Sequence, residues 1–179
     1  MKKALALVLG LSLLFTFTWT AAASQNCASA AEVLRHTNTE RSWRRRPALC
    51  GDHVALNAAA QLRAEELAQR FSHTRPDGSS WFTVFEEFGI AHRGIAENIA
   101  MGHRSSSAVV RAWMNSRGHR SNIMGQHTHV GIGFYRCGAG RNHWVQLFLN
   151  DGTATAPTVW DNILAFLLRL PRFLFGWMI

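Results

Sequence analysis

Apolar positions along the chain recur in two rhythms, steps of three and four residues and strict alternation, and each predicts its own elements. Ala31, Leu34 and Thr37 or Asn38 fall on one side of a helix predicted over 28–41. Ser42 to Gly51 is rich in Arg and broken by Pro47, so it reads as a loop whose Leu49 turns back into the core. Leu56, Ala59, Ala60, Arg63, Leu67 and Phe71 mark the buried face of a helix over 53–71, capped by Asp52, with Glu65 and Glu66 on the other side. The turn formers of 72–78 make a loop. A short helix over 80–88 turns Trp81, Val84, Phe85 and Phe88 inward and stops at Gly89. Another helix, over 107–115, buries Val109 or Val110, Trp113 and Met114.

Alternation takes over later. Residues 129–137 place Val130, Ile132, Phe134 and Arg136 on one face, and 143–149 place His143, Val145 and Leu147 opposite Trp144, Gln146 and Phe148. Residues 138–142 supply the hairpin turn between them. Helices first and a hairpin last predict an α+β fold rather than a doubly wound parallel sheet. Two segments break the rhythm. Residues 95–100 are apolar except for Glu97 and Asn98, and a buried acid is expensive unless paired or ligated. Residues 116–123 are polar almost throughout and read as a loop.

The ends stand outside these patterns. Lys2 and Lys3, an apolar run to Phe17 and the small residues Ala21 to Ala23 form a signal peptide over 1–23, with cleavage expected after Ala23. The competing reading is an uncleaved anchor helix. The domain is placed at 28–150, a small-residue linker at 151–158, and an apolar tail at 159–179. Arg169, Arg172 and Pro171 argue against a straight membrane span for the tail. Its Trp160, Phe166, Phe173, Phe175 and Trp177 suit either contact with a membrane surface or packing back on the domain. Localisation is therefore expected to be secreted or in the cell envelope.

Charge narrows the partners. Loss of Lys2 and Lys3 without any acid lowers the formal charge from +8 to +6, and every remaining cation is Arg. Arginine pairs with phosphates and carboxylates, so anionic surfaces are possible partners, but the arginines are dispersed apart from Arg44, Arg45 and Arg46, a triplet read as a solvated loop rather than a binding patch. No aromatic residues interleave with them as single-stranded nucleic acid requires, so no nucleic-acid partner is expected. Three cysteines, Cys27, Cys50 and Cys137, allow a Cys27–Cys50 pair, a Cys50–Cys137 pair or free thiols.

His73, Glu97 and His119 are the candidate site. Two imidazoles and a carboxylate suit zinc and leave a fourth position for water, although their long spacing is no local metal signature. A polar cluster in which Glu97 accepts hydrogen bonds is the plainer reading. His127 and His129 share a strand face and could join a metal site, but read first as exposed, and His103 and His143 read as surface or groove residues. No Gly-x-Ser-x-Gly elbow is present, and Gly131-Ile132-Gly133 lies inside a strand with no helix after it, so nucleophilic serine and dinucleotide chemistry are set aside.

His73, then Ala96-Glu97-Asn98-Ile99-Ala100, then Trp113 through Ile123 with its Gly118-His119-Arg120, resemble the bacterial branch of the CAP superfamily of cysteine-rich secretory, antigen 5 and pathogenesis-related proteins. Asn38, Glu40 and Arg41, Val130 to Gly133 and Trp144 to Phe148 match its opening and closing elements in order. The resemblance implies a three-layer α-β-α sandwich with a central cleft lined by two histidines and two glutamates that can hold a divalent metal such as zinc. Carried over, His73 and Glu97 take the first histidine and glutamate. Ser116 stands where the second glutamate belongs and Gln126 where the second histidine aligns, so His119 is the substitute. Ala96 and Arg117 replace the family's usual Gly and Pro. The implied role is a binding or envelope- and host-interaction module for a small-molecule, lipid or cell-envelope ligand. The alternative is a metal-dependent hydrolase acting on an extracellular peptide or envelope substrate, with Glu97 or a metal-bound water as base and a histidine as acid.

Overall fold

The structure, a computed structural model, describes residues 30–137 and 141–153. The expected signal segment 1–23, Cys27, most of the linker and the apolar tail 159–179 lie outside the described residues.

Helix α1 covers 30–43 and buries Val33, Thr37 and Arg41, one turn apart, where the sequence pattern pointed to Ala31, Leu34 and Thr37 or Asn38. Asn38 holds the returning loop, accepting from the Leu49 N–H at 2.9 Å and donating to its carbonyl at 3.0 Å. Leu49 is thereby buried, as its apolar character predicts. Helix α2, Val54–Gln69, is capped by His53, whose Nδ1 accepts from Leu56 N–H at 3.2 Å. Asp52, the expected cap, points to solvent instead. Glu66, expected outside, is buried because Arg63 and Arg75 neutralise it, and Phe71, beyond the end of the helix, is exposed.

Helix α3 is Thr83–Glu87 and buries Val84 and Phe85; strand β1 is Gly94–Met101. Helix α4, Ser106–Asn115, is capped by the Ser105 hydroxyl, which accepts from Ala108 N–H. Helix α5, Arg117–Ile123, replaces the loop expected there. Its only buried residue is Ile123, so it shows no apolar period from which a helix could be read. Strands β2, His129–Arg136, and β3, Asn142–Asn150, follow.

The sheet has the order β1-β3-β2 and is antiparallel throughout. Alternation along β3 divides two cores. Val145, Leu147 and Leu149 face α2 and α3 with Leu56, Ala60, Leu67 and Phe85. Trp144 and Phe148 face α1, α4 and α5 with Val33, Val110, Trp113 and Ile123. The result is the expected α+β sandwich, helices on both sides of one sheet. Contact between α2 and β2 is close enough to demand glycine: a Cβ on Gly133 would lie 1.9 Å from the Ala60 carbonyl oxygen, and one on Gly131 2.3 Å from that of Leu56.

The sheet also removes one disulfide alternative. Cys50 bridges His129 at the start of β2, whereas Cys137 follows its far end. At about 3.3 Å per strand residue they lie some 25 Å apart, far beyond disulfide reach.

Candidate functional site

Glu97 sits in the middle of β1 opposite Leu147 and shares that residue's face, toward α2. A carboxylate there needs partners, and it has two. Arg63 Nε donates to Oε1 at 2.8 Å, and His73 Nδ1 lies 2.6 Å from Oε2. Arg63 arrives on the buried face of α2 and also donates from Nη1 to Glu66 at 2.6 Å. Its Nη2 donates to the Ser72 carbonyl at 3.1 Å, fixing the loop that carries His73. The Trp81 N–H secures the same loop on the His73 carbonyl. Glu66 in turn accepts from Arg75, which also reaches Glu87. Burial, the largest influence on Glu66, raises its pKa, but the hydrogen bonds from Arg75 and Arg63 outweigh it and leave the carboxyl below its ordinary value. A charged chain of Arg75, Glu66, Arg63 and Glu97 therefore runs under the site and surfaces at His73, whose side chain is 53% exposed.

His119 reaches the site on α5. Asn122, one turn on, donates from Nδ2 to the Glu97 carbonyl at 3.1 Å and to Asn98 Oδ1 at 2.9 Å. Asn98 returns a bond to the His119 carbonyl at 3.2 Å and another to Gln146, which donates to Thr37. These amides bind α5 to β1 and extend through the sheet to α1. Burial and then the neighbouring His73 lower the His119 pKa, so the two imidazoles are close enough to discourage simultaneous protonation.

Of the expected residues, His73 and Glu97 thus make direct contact and His119 lies beside His73. Ser116 caps α5 by backbone alone and Gln126 is an exposed loop residue. Arg63, Arg75, Asn98 and Asn122 complete the arrangement without having been singled out. An arginine among the alanines and leucines of a buried stripe was the signal for the first.

Two of the other histidines depart from expectation. His127 precedes β2, is buried and stacks at 5.2 Å on Phe148, and His143 is buried in β3; both Nδ1 atoms lack a hydrogen-bond partner. His129 belongs to a separate group. Among the described residues, Cys50, Asp52 and His129 offer ligand atoms within 4.8 Å of one another, a thiol, carboxylate and imidazole set that could hold a metal ion.

A family model described as CAP, the cysteine-rich secretory protein family, matches residues 34–148. The chain belongs to the CAP family. It is 35% identical over 137 residues to the uncharacterized protein YkwD of Bacillus subtilis strain 168, covering 75% of this chain and 52% of that one. The CAP chain thus spans about half the length of this curated relative. Among solved structures, an extracellular protein containing an SCP domain from Bacillus anthracis is 25% identical with a TM-score of 0.64, over 70% of this chain and 41% of that one. An outer surface protein of Borrelia burgdorferi, 19% identical, has a TM-score of 0.56 over 66% of this chain and 92% of its own. A cysteine-rich secretory protein of Staphylococcus aureus, also 19% identical, reaches 0.57 over 70% and 40%. At that identity the last two speak for the fold alone.

Proposed function

We propose that this CAP domain works outside the cytoplasm as a binding module, taking a small-molecule, lipid or cell-envelope ligand over the His73 imidazole. One observation carries the reading: a fully buried carboxylate, compensated by a buried guanidinium, holds a half-exposed imidazole in a fixed orientation. Such a group presents one ring nitrogen outward as donor or acceptor with its rotation frozen, which favours orientation-specific recognition. Export rests on the signal-like N-terminus and on the extracellular description of the Bacillus anthracis neighbour.

A divalent metal at this site would have to be held through the histidines rather than through Glu97; among the described residues the ligand atoms gathered within 4.8 Å of one another are those of Cys50, Asp52 and His129. Both Glu97 oxygens already accept hydrogen bonds, one of them from Arg63. His73 Nε2 is free of that bond and His119 is its neighbour, so the two imidazoles would hold a zinc-like ion. Glu97 would stand behind His73 and set its tautomer and ring plane. A metal held there would supply a Lewis acid. The chain's own part is to orient His73 through Glu97 and to hold that carboxylate in place through Arg63. The same carboxylate–imidazole pair has the form of an oriented general base, which favours metal-dependent hydrolysis of an extracellular peptide or envelope substrate as the second reading.

A thermal-shift screen of the purified chain with lipids, envelope glycans and small metabolites tests the binding reading. A hit is expected whose shift disappears in His73→Ala; hits unaffected by that substitution overturn it. Metal analysis of untagged protein tests the metal reading. Equal metal content in the wild type and the His73→Ala/His119→Ala double variant removes it.

A further inference from the structure

Among the described residues Arg41 is a cation inside the protein with no ion-pair partner. Its side chain is 1% exposed, yet it donates only to neutral carbonyls: from Nε to Pro47 at 2.7 Å, and from Nη1 to Ile123 at 2.7 Å and Gly125 at 3.0 Å. These bonds fasten the end of α5 to α1 and leave the Nη2 edge of the fork as the part available to its surroundings. Among the described residues the arginine ion pairs engage Arg44, Arg63 and Arg75, not Arg41 or its exposed neighbour Arg46. Burial and the nearby Arg46 charge push the Arg41 pKa down to about 10, the mark of a cation short of compensation.

Beside this guanidinium lies a cavity of about 320 Å³ lined by Arg41, Arg46, Gln126, His127, Thr128 and Asn150, among others. That volume is at the small end of the range for ligand sites. His127 is 9% exposed, is held against Phe148, and keeps an Nδ1 with no partner. Buried polar atoms are nearly always satisfied, so an orphaned nitrogen on a ring that lines a cavity needs a reason. Asp151, the acid that follows Asn150, is already engaged by Thr128 and Thr153. Two arginines and a histidine with an unsatisfied ring nitrogen thus line one space, and among the described residues its lining contains no carboxylate.

We propose that this cavity binds a small ligand through an oxyanion, a carboxylate or phosphate group gripped by Arg41 and Arg46 and by an Nδ1–H of His127. Guanidinium forks match both groups in geometry, and the low local dielectric strengthens the attraction. The cavity uses the end of α1, the turn after α5 and the end of β3, and it shares no residue with the His73, Glu97 and His119 site. Its fate is therefore independent of the function proposed above.

Thermal unfolding of the full chain, titrated with inorganic phosphate and separately with acetate against chloride at matched ionic strength, tests it. A rise in midpoint of about 3–6 °C is expected at tenfold excess over Kd, with phosphate or acetate dominating according to the group the site prefers. The rise should shrink at least twofold in Arg46→Ala and vanish in His127→Phe. His127→Phe should also melt higher than the wild type without anion, because the orphaned nitrogen is gone. Equal rises in the wild type and both variants would show general salt exclusion and overturn the site, as would no rise with either anion.

Discussion

Arg63 Nε donates to Glu97 Oε1 at 2.8 Å, and neither side chain reaches solvent. The pair is the electrostatic floor of the site. Removing one partner leaves a charge buried without compensation, which costs far more than the pair contributes. Arg63→Ala is expected to destabilise the chain by about 3–5 kcal/mol in urea unfolding. Arg63→Met with Glu97→Met should recover a substantial part of that loss, because no charge then remains to be desolvated. If the double variant is no better than the single one, the two side chains are not coupled.

His127 predicts a response to acid. Burial, and then Arg41, push its pKa down to about 4 from 6.5. The folded pKa lies below the unfolded one, so the contribution is intact above about pH 6.5 and is lost as pH falls toward 4. At pH 5 the loss amounts to about 2 kcal/mol. His127→Phe should flatten the stability profile between pH 6.5 and 4.5, as followed by chemical denaturation across that window. A profile parallel to the wild type would mean that protonation of this ring is not resisted.

Gly133 is the tightest joint in the fold, where α2 touches β2 backbone to backbone. A methyl group there would meet the Ala60 carbonyl oxygen at 1.9 Å, a main-chain atom that cannot swing aside. Gly133→Ala should cost about 1–3 kcal/mol or more in thermal unfolding. Gly118, with nothing near its hypothetical Cβ, is the control, and Gly118→Ala should be close to neutral.

Asn122 ties α5 to β1 through the Glu97 carbonyl and Asn98. Asn122→Ala leaves buried acceptors without their donor and should cost about 1–3 kcal/mol. Hydrogen exchange should show the loss locally, with protection falling over 117–123 while β3 keeps its own.

The hairpin was legible because Val130, Ile132 and Phe134, and then Val145 and Leu147, recur at every second residue, although both strands are buried on both faces. Glu97 was legible for the opposite reason, a single acid in an apolar run. Its compensation by Arg63 was not, because that partner lies on another element, with no sequence spacing to expose it. Helix α5 escaped notice since its hold on the protein is polar, through Asn122 and backbone bonds, with Ile123 alone in the core. His127 was grouped with His129 as a strand pair. The chain enters β2 only at His129, and the preceding residue pair turns His127 inward onto Phe148 instead. The family motif points to the region of His73, Glu97 and His119, but with Ser116 and Gln126 in place of the usual ligands their mutual arrangement depends on the packing of α2, β1 and α5, which no sequence spacing encodes.

Among the described residues the last strand is the middle one of the sheet. Until residues 142–150 have emerged from the ribosome or a translocation pore, β1 and β2 have no neighbour to pair with, and neither face of the sheet exists for helices to cover. Threading from the N-terminus thus keeps the polypeptide extensible almost to the end, and the structure closes in one late, long-range step.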